Sequence, residues 1–309
     1  MHNKIYTRLI PFMSICMATA LLWDAWWHVA IGRDQFFIPP HTALYLCLSV
    51  VIICSFVAWR KTKNKIYRNA FWVSLLFPIT GVLDQAWHSV FGTENLLSPI
   101  VVWSPPHLLI LGSLITLTLF SRKIAKLGSD HTVDWLLDCG LWATFLGYIL
   151  IFTLPFFPLG AYRVMGFWGA GIVVFAWIAV MLYLGQQKKK SESILLTTIF
   201  YAFISSVGPA TLIHPAPGVM INEFFNPPFW LFLFSYILPA IVVETIPKFN
   251  LVIKGLIMGI LSAVIFYVGA SYLVHPNFVF TTNEILIAIL SCAVAGVLAG
   301  VLVLKLKGK

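Results

Sequence analysis

The sequence predicts an all-α, polytopic integral membrane protein of about ten transmembrane helices in five antiparallel hairpins. Three observations carry this. Of the 309 residues, 60% are hydrophobic and 10% charged, where a soluble domain carries roughly 25% charged residues. Apolar stretches long enough to cross a bilayer recur along the whole chain, and the mean hydropathy is +0.92. The basic residues behind the net charge of +9 sit in short runs between those stretches, which is a pattern of membrane topology and not a nucleic-acid-binding face. An ordinary soluble enzyme, a nucleic-acid binder and a disordered tail are thereby excluded.

The spans follow in order. The first, 8–32, begins after Lys4 and Arg8 and continues past Ala18-Thr19-Ala20, so it reads as a retained helix and not a cleaved signal peptide. The second, 41–59, opens after Pro39-Pro40 and stops at Arg60, Lys61, Lys63, Lys65 and Arg68. The third is 69–92, and the fourth, 105–121, runs from Pro105-Pro106 to Arg122, Lys123 and Lys126. Spans at 133–155 and 165–185 lead to Lys188, Lys189 and Lys190. Those at 193–214 and 227–247 lead to Lys248, and those at 251–274 and 284–304 to Lys305, Lys307 and Lys309. With this alternation every Lys and Arg except Arg33 and Arg163 falls on one side, which places both termini in the cytoplasm. Asp134, Asp138 and Glu244 lie near that basic side, where they can meet the basic loops. Pro78, Pro209 and Pro239 fall inside spans and are expected to kink them. Cys16, Cys47, Cys54, Cys139 and Cys292 are all within apolar stretches without a C-x-x-C pair, so neither a disulfide framework nor a thiolate zinc site is indicated.

A repeat divides the chain into duplicated hairpins over 1–126 and six further helices over 127–309. Asp24, Trp27, His28, Gly32 and Asp34 recur sixty positions later as Asp84, Trp87, His88, Gly92 and Glu94. Pro39-Pro40-His41 recurs as Pro105-Pro106-His107, after a loop six residues longer. Agreement at matched positions of two hairpins argues for duplication. A fainter echo joins His214 to Pro227-Pro228-Phe229, with Ala210 at the acid position.

The pattern has a chemistry. Residues four apart on a helix share a face, so Asp24 lies beside His28 and Asp84 beside His88. A proline pair suits a helix start, which puts His41 and His107 in the first turns of the returning helices. Each hairpin can bring one carboxylate and two imidazoles to a point near the outer face. That donor set binds a divalent ion and leaves a position for water or substrate; it does not by itself choose among copper, zinc and iron. Intramembrane ionisable residues are functional candidates by default. Around the two triads, Trp27, Arg33, Asp34, Tyr45, Trp87 and Glu94 are placed to orient the imidazoles or limit water.

The first copy resembles the copper-binding membrane subunit of the copper membrane monooxygenases, which include particulate methane monooxygenase and ammonia monooxygenase. The resemblance rests on Asp24, His28, Arg33, Asp34, Phe37, Pro39 and His41, in the same spacing. The second copy is similar to a later stretch of that subunit, with Asp84 at an Asn position and His88 and His107 at its two histidines. The likeness extends over roughly residues 20–112. It implies copper at Asp24, His28 and His41 and a neighbouring copper site at Asp84, His88 and His107. It also implies an oxidoreductase acting on a small apolar or gaseous substrate, with partner membrane subunits and a copper or electron donor. A non-catalytic protein that binds, inserts or transports copper is the alternative the same triads allow.

Overall fold

A computed structural model of the chain describes residues 4–30, 37–91, 103–128, 130–153, 165–186, 192–211, 229–246, 249–269, 271 and 280–307, without the side chains at 26, 28–30, 192–194, 206–211, 229–233 and 307. The described residues are all-helical, with no strand among them. The helices are α1 (Lys4–Ala30), α2 (Pro39–Thr62), α3 (Lys65–Phe91), α4 (Pro105–Ala125), α5 (His131–Thr153), α6 (Gly169–Gln186), α7 (Glu192–Thr211), α8 (Phe229–Thr245), α9 (Leu251–Ala263) and α10 (Thr282–Lys307). A 3₁₀ turn, Gly166–Trp168, leads into α6, and a π-helical turn, Val264–Val268, extends α9. Among the described residues eight helices are long and apolar enough to cross a membrane: α1 to α6, the extended α9, and α10. In α7 and α8 the described apolar stretches are shorter, Leu195–Ser205 and Phe234–Thr245. The described residues are thus all-helical, and their eight long apolar helices fit a multi-pass membrane protein; the sequence suggests about ten spans over the whole chain.

Two compact units divide the chain: Met1–His28 with Gly32–Phe152, and Val29–Ile31 with Thr153–Lys309. The repeat ends near residue 126; the compact unit that contains it runs on through α5.

In the first unit α2 packs on α3, and α3 on α4. The turn between α2 and α3 is short because each helix is capped at once. Lys63 adopts a left-handed conformation (φ 57°) and returns its N–H to Trp59 O at 2.8 Å, while Asn64 Oδ1 accepts the Ile66 N–H at 2.8 Å. Helix α1 is pinned to α4 by a buried hydrogen bond between Ser14 Oγ and Ser121 Oγ, 2.7 Å apart. At its basic end, Arg8 Nη2 pairs with Asp130 Oδ2 at 3.0 Å and Lys61 Nζ donates to Tyr6 Oη at 3.4 Å. The Asp130 carboxyl is held below its ordinary range, chiefly by the Val133 N–H and further by the Arg8 charge. Arg122 forks onto Asp138 at 2.7 and 3.3 Å and lies over the Trp142 ring, so one acid expected to meet the basic loops does so. Only 28% of the apolar window of α2, and the same share of α3, is buried. Phe56, Trp72, Leu76 and Val82 stand exposed on them, which suits a hydrocarbon environment.

In the second unit α10 packs along α9 and α6, and α8 joins α7 and α9. The α9–α10 contact depends on glycine. A Cβ added at Gly255 or Gly296 would overlap the other residue's carbonyl oxygen, and one at Gly259 would overlap Cys292 O. Small residues that let helix backbones touch are the usual packing device in lipid, where apolar association supplies little drive. None of the five cysteines is in a disulfide among the described residues.

Candidate metal centre

The second hairpin assembles its triad. Asp84 and His88 lie one turn apart near the end of α3, so their side chains stack on one face. The returning helix starts at Pro105, with Ser104 as N-cap in an extended conformation (φ −58°, ψ 147°) and prolines in the next two positions. Proline's fixed φ and missing N–H fit a first turn, so His107 falls at the third helical position and faces back over α3. Its Nε2 is 3.5 Å from Asp84 Oδ1, and His88 Nε2 is 3.3 Å from Asp84 Oδ2. The two imidazole centroids are 6.0 Å apart. All three ligand atoms lie within 4.8 Å of one another, and among the described residues this is the one group of three or more metal-ligating side chains so gathered.

The spacing suits an ion. A tetrahedral metal about 2.0–2.2 Å from each donor holds the donors roughly 3.3 Å apart. A charge-assisted N–H···O bond is shorter, about 2.7–2.9 Å. Asp84 Oδ1 is buried and makes no hydrogen bond among the described residues, and His107 Nε2 is the imidazole nitrogen that faces it. The side chains are 20% (Asp84), 7% (His88) and 24% (His107) exposed, leaving the centre sheltered yet reachable.

In the first hairpin, Asp24 Oδ1 and His41 Nε2 are 3.0 Å apart, from the end of α1 and the first turn of α2. His28 is on α1 one turn after Asp24, and its side chain lies outside the described residues. So do Arg33, Asp34 and Glu94, along with His214 and Pro227-Pro228 of the fainter echo. Tyr45 sets its ring 5.8 Å from that of His41. Trp27 meets Trp23 edge to face, centroids 6.4 Å apart. Trp87 lies 4.2 Å from the Phe91 ring.

Both clusters lie at the same end of the first unit. Arg8 touches Asp130 beyond the far end of α4, and Ser14 touches Ser121, so α1 and α4 run in opposite directions. From that serine pair, Asp24 is ten residues up α1 and His107 fourteen residues up α4, or roughly 15 and 21 Å at the helical rise. Arg8, Lys61 and Arg122 lie toward the opposite end.

Sequence reasoning singles out the triads and misses Ser104. Its Oγ is 2.9 Å from His107 Nδ1 and also accepts the His107 backbone N–H at 3.5 Å. A serine directly before a proline pair is an N-cap signal that the sequence does carry. Beside it, Trp103 Nε1 donates to Phe152 O at 3.0 Å, tying the start of α4 to the last turn of α5.

No family model matches the chain, and no curated protein or solved structure matches it significantly.

Proposed function

We propose that the protein is a membrane metalloprotein that holds copper at Asp84, His88 and His107 and at Asp24, His28 and His41, and that it oxidises a small apolar or gaseous substrate, itself or as a subunit. The observation that carries the reading is the gathering of Asp84, His88 and His107, with two nitrogen–oxygen distances that match the edge of a coordination polyhedron. Two imidazoles and one carboxylate suit a divalent first-row metal; zinc and iron are the competing ions, and the likeness of the first hairpin to the monooxygenase subunit selects copper and the oxidative chemistry. Copper bound there supplies a one-electron couple for reaction with dioxygen. The chain's residues do the rest: Asp84 supplies the charge, His88 and His107 fix two positions, and the prolines of α4 hold His107 over α3. Reducing equivalents come from an electron donor or partner subunit.

In this reading the protein spans the cell membrane with both termini cytoplasmic and the sites toward the outer face. The position of both clusters at the end opposite Arg8, Lys61 and Arg122 supports that orientation.

The test is elemental analysis of purified protein, wild type beside His28→Ala and His88→Ala, followed by oxidation of small alkanes, alkenes or ammonia by copper-loaded membranes. Two ions in the wild type, one in each variant, and oxidation lost with them is the expected result. Wild type free of metal after copper loading overturns the metal reading. Full occupancy with no oxidation, but copper uptake into sealed vesicles, replaces it with copper transport.

A further inference from the structure

We infer that Ser104 is a positioning residue for the second metal site, its hydroxyl serving His107 in both the empty and the loaded state; this rests on the metal reading above. Ser104 is 2% exposed, and its Oγ has two partners on one residue, the backbone N–H and the ring Nδ1 of His107. Backbone and ring are thus fixed from the same atom, with Nε2 turned toward Asp84.

Proton arithmetic explains why a hydroxyl suits the place. A neutral imidazole carries one N–H, and a hydroxyl can donate or accept. With the site empty, Nε2–H faces the Asp84 carboxylate and Ser104 donates its O–H to Nδ1. With an ion bound, Nε2 presents its lone pair to the metal, Nδ1 carries the proton, and Ser104 Oγ accepts it. Exchanging the tautomer moves one proton between ring nitrogens by way of solvent and leaves the net charge of the ring unchanged. Partners of this kind orient metal-ligating histidines and raise their affinity.

The first hairpin lacks the device. Its N-cap is Ile38, with nearly the same backbone (φ −70°, ψ 155°) and no side-chain cap hydrogen bond. The repeat matches the two prolines and the histidine and differs at the position before them. Trp103 adds to the contrast by anchoring the segment just before Ser104 to α5.

The experiment is Cu(II) titration of purified full-length protein carrying His28→Ala, so that the second site is read alone, against a chelator of known affinity. Ser104→Ala is expected to weaken binding about 10- to 100-fold, and Ser104→Thr, which keeps the hydroxyl, to stay within about threefold of the parent. Electron paramagnetic resonance of the Cu(II) form is expected to show two nitrogen ligands in the parent and Thr variant, and an altered nitrogen coupling in the Ala variant. Equal affinity for Ser104→Ala, or a Thr variant as weak as Ala, overturns the inference while leaving the metal site standing. A parent protein that takes up no ion sensitive to His88→Ala overturns both. Size-exclusion profiles separate loss of binding from loss of fold; if Ser104→Ala aggregates, Ser104→Cys, which keeps the side-chain shape and replaces the hydroxyl by a weakly hydrogen-bonding thiol, takes its place with the same expected loss.

Discussion

Replacing Asp84 by Asn tests the carboxylate as a ligand with little change of shape. Asp84 faces both imidazoles, Oδ2 at 3.3 Å from His88 and Oδ1 at 3.5 Å from His107, and is the one formal charge in the triad. A polar contact involving a charged group contributes about 1.5–3 kcal/mol. Loss of the upper part of that range is roughly a hundredfold in affinity at about 1.4 kcal/mol per tenfold. The amide oxygen still coordinates, so binding weakens and does not vanish. Linkage gives a second readout: free copper at a hundred times the wild-type Kd stabilises the folded protein by about 2.7 kcal/mol, and the same concentration stabilises the variant by roughly 0.4 kcal/mol. Chelator competition measures the affinity, and detergent melts with and without Cu(II) measure the stabilisation, both in a His28→Ala background. A Kd within threefold of the parent, with undiminished stabilisation by copper, would refute the role assigned to Asp84.

Four further outcomes are expected. Ser14→Ala and Ser121→Ala in a double-mutant cycle should show a coupling of about 0.6 kcal/mol, and up to about 1.7, as for other hydrogen bonds between membrane helices; additive losses would mean that α1 and α4 are not joined there. Gly296→Val should lower thermal stability by about 1–3 kcal/mol through overpacking against Gly255, and an unchanged melt would contradict the close α9–α10 contact. Because folding lowers the Asp130 pKa, its contribution is complete above the unfolded carboxylate pKa and is lost as pH falls through the folded one. Arg8→Gln should therefore flatten the acid limb of the melting profile, and an identical limb would remove the pair from the account. For topology, a cysteine at Asn95 should react with an impermeant thiol reagent from outside and one at Lys189 should not; reversed labelling overturns the orientation.

The helical membrane class is legible in the sequence because the bilayer imposes a length and a composition that few other folds share. Helix starts are legible where prolines mark them: α2 and α4 open at Pro39 and Pro105. Helices also form where hydropathy places the seventh and eighth spans, as α7 (Glu192–Thr211) and α8 (Phe229–Thr245). The Asp84–His88–His107 cluster is legible because helical periodicity fixes the first two residues and the proline pair fixes the third. Ser104 escapes because its importance lies in which way its hydroxyl points, and a one-dimensional pattern of ligand types ranks it as an ordinary cap. The Gly255–Gly296 contact escapes for a related reason: glycines are spaced all along the chain, and only the crossing of α9 and α10 shows which of them meet.

Asp84, His88 and His107 all come from two consecutive helices that pack on each other. One copied stretch of coding sequence is therefore enough to transmit a complete donor set, with nothing to be negotiated with a distant part of the chain. Descendants of such a duplication are independent experiments: a change in one hairpin leaves its sibling intact, so selection can explore new ion preferences in one copy while the other preserves the ancestral trait. Ile38 and Ser104 head the two returning helices with nearly the same backbone and different side chains, and there the two hairpins differ in what they offer the histidine three residues on.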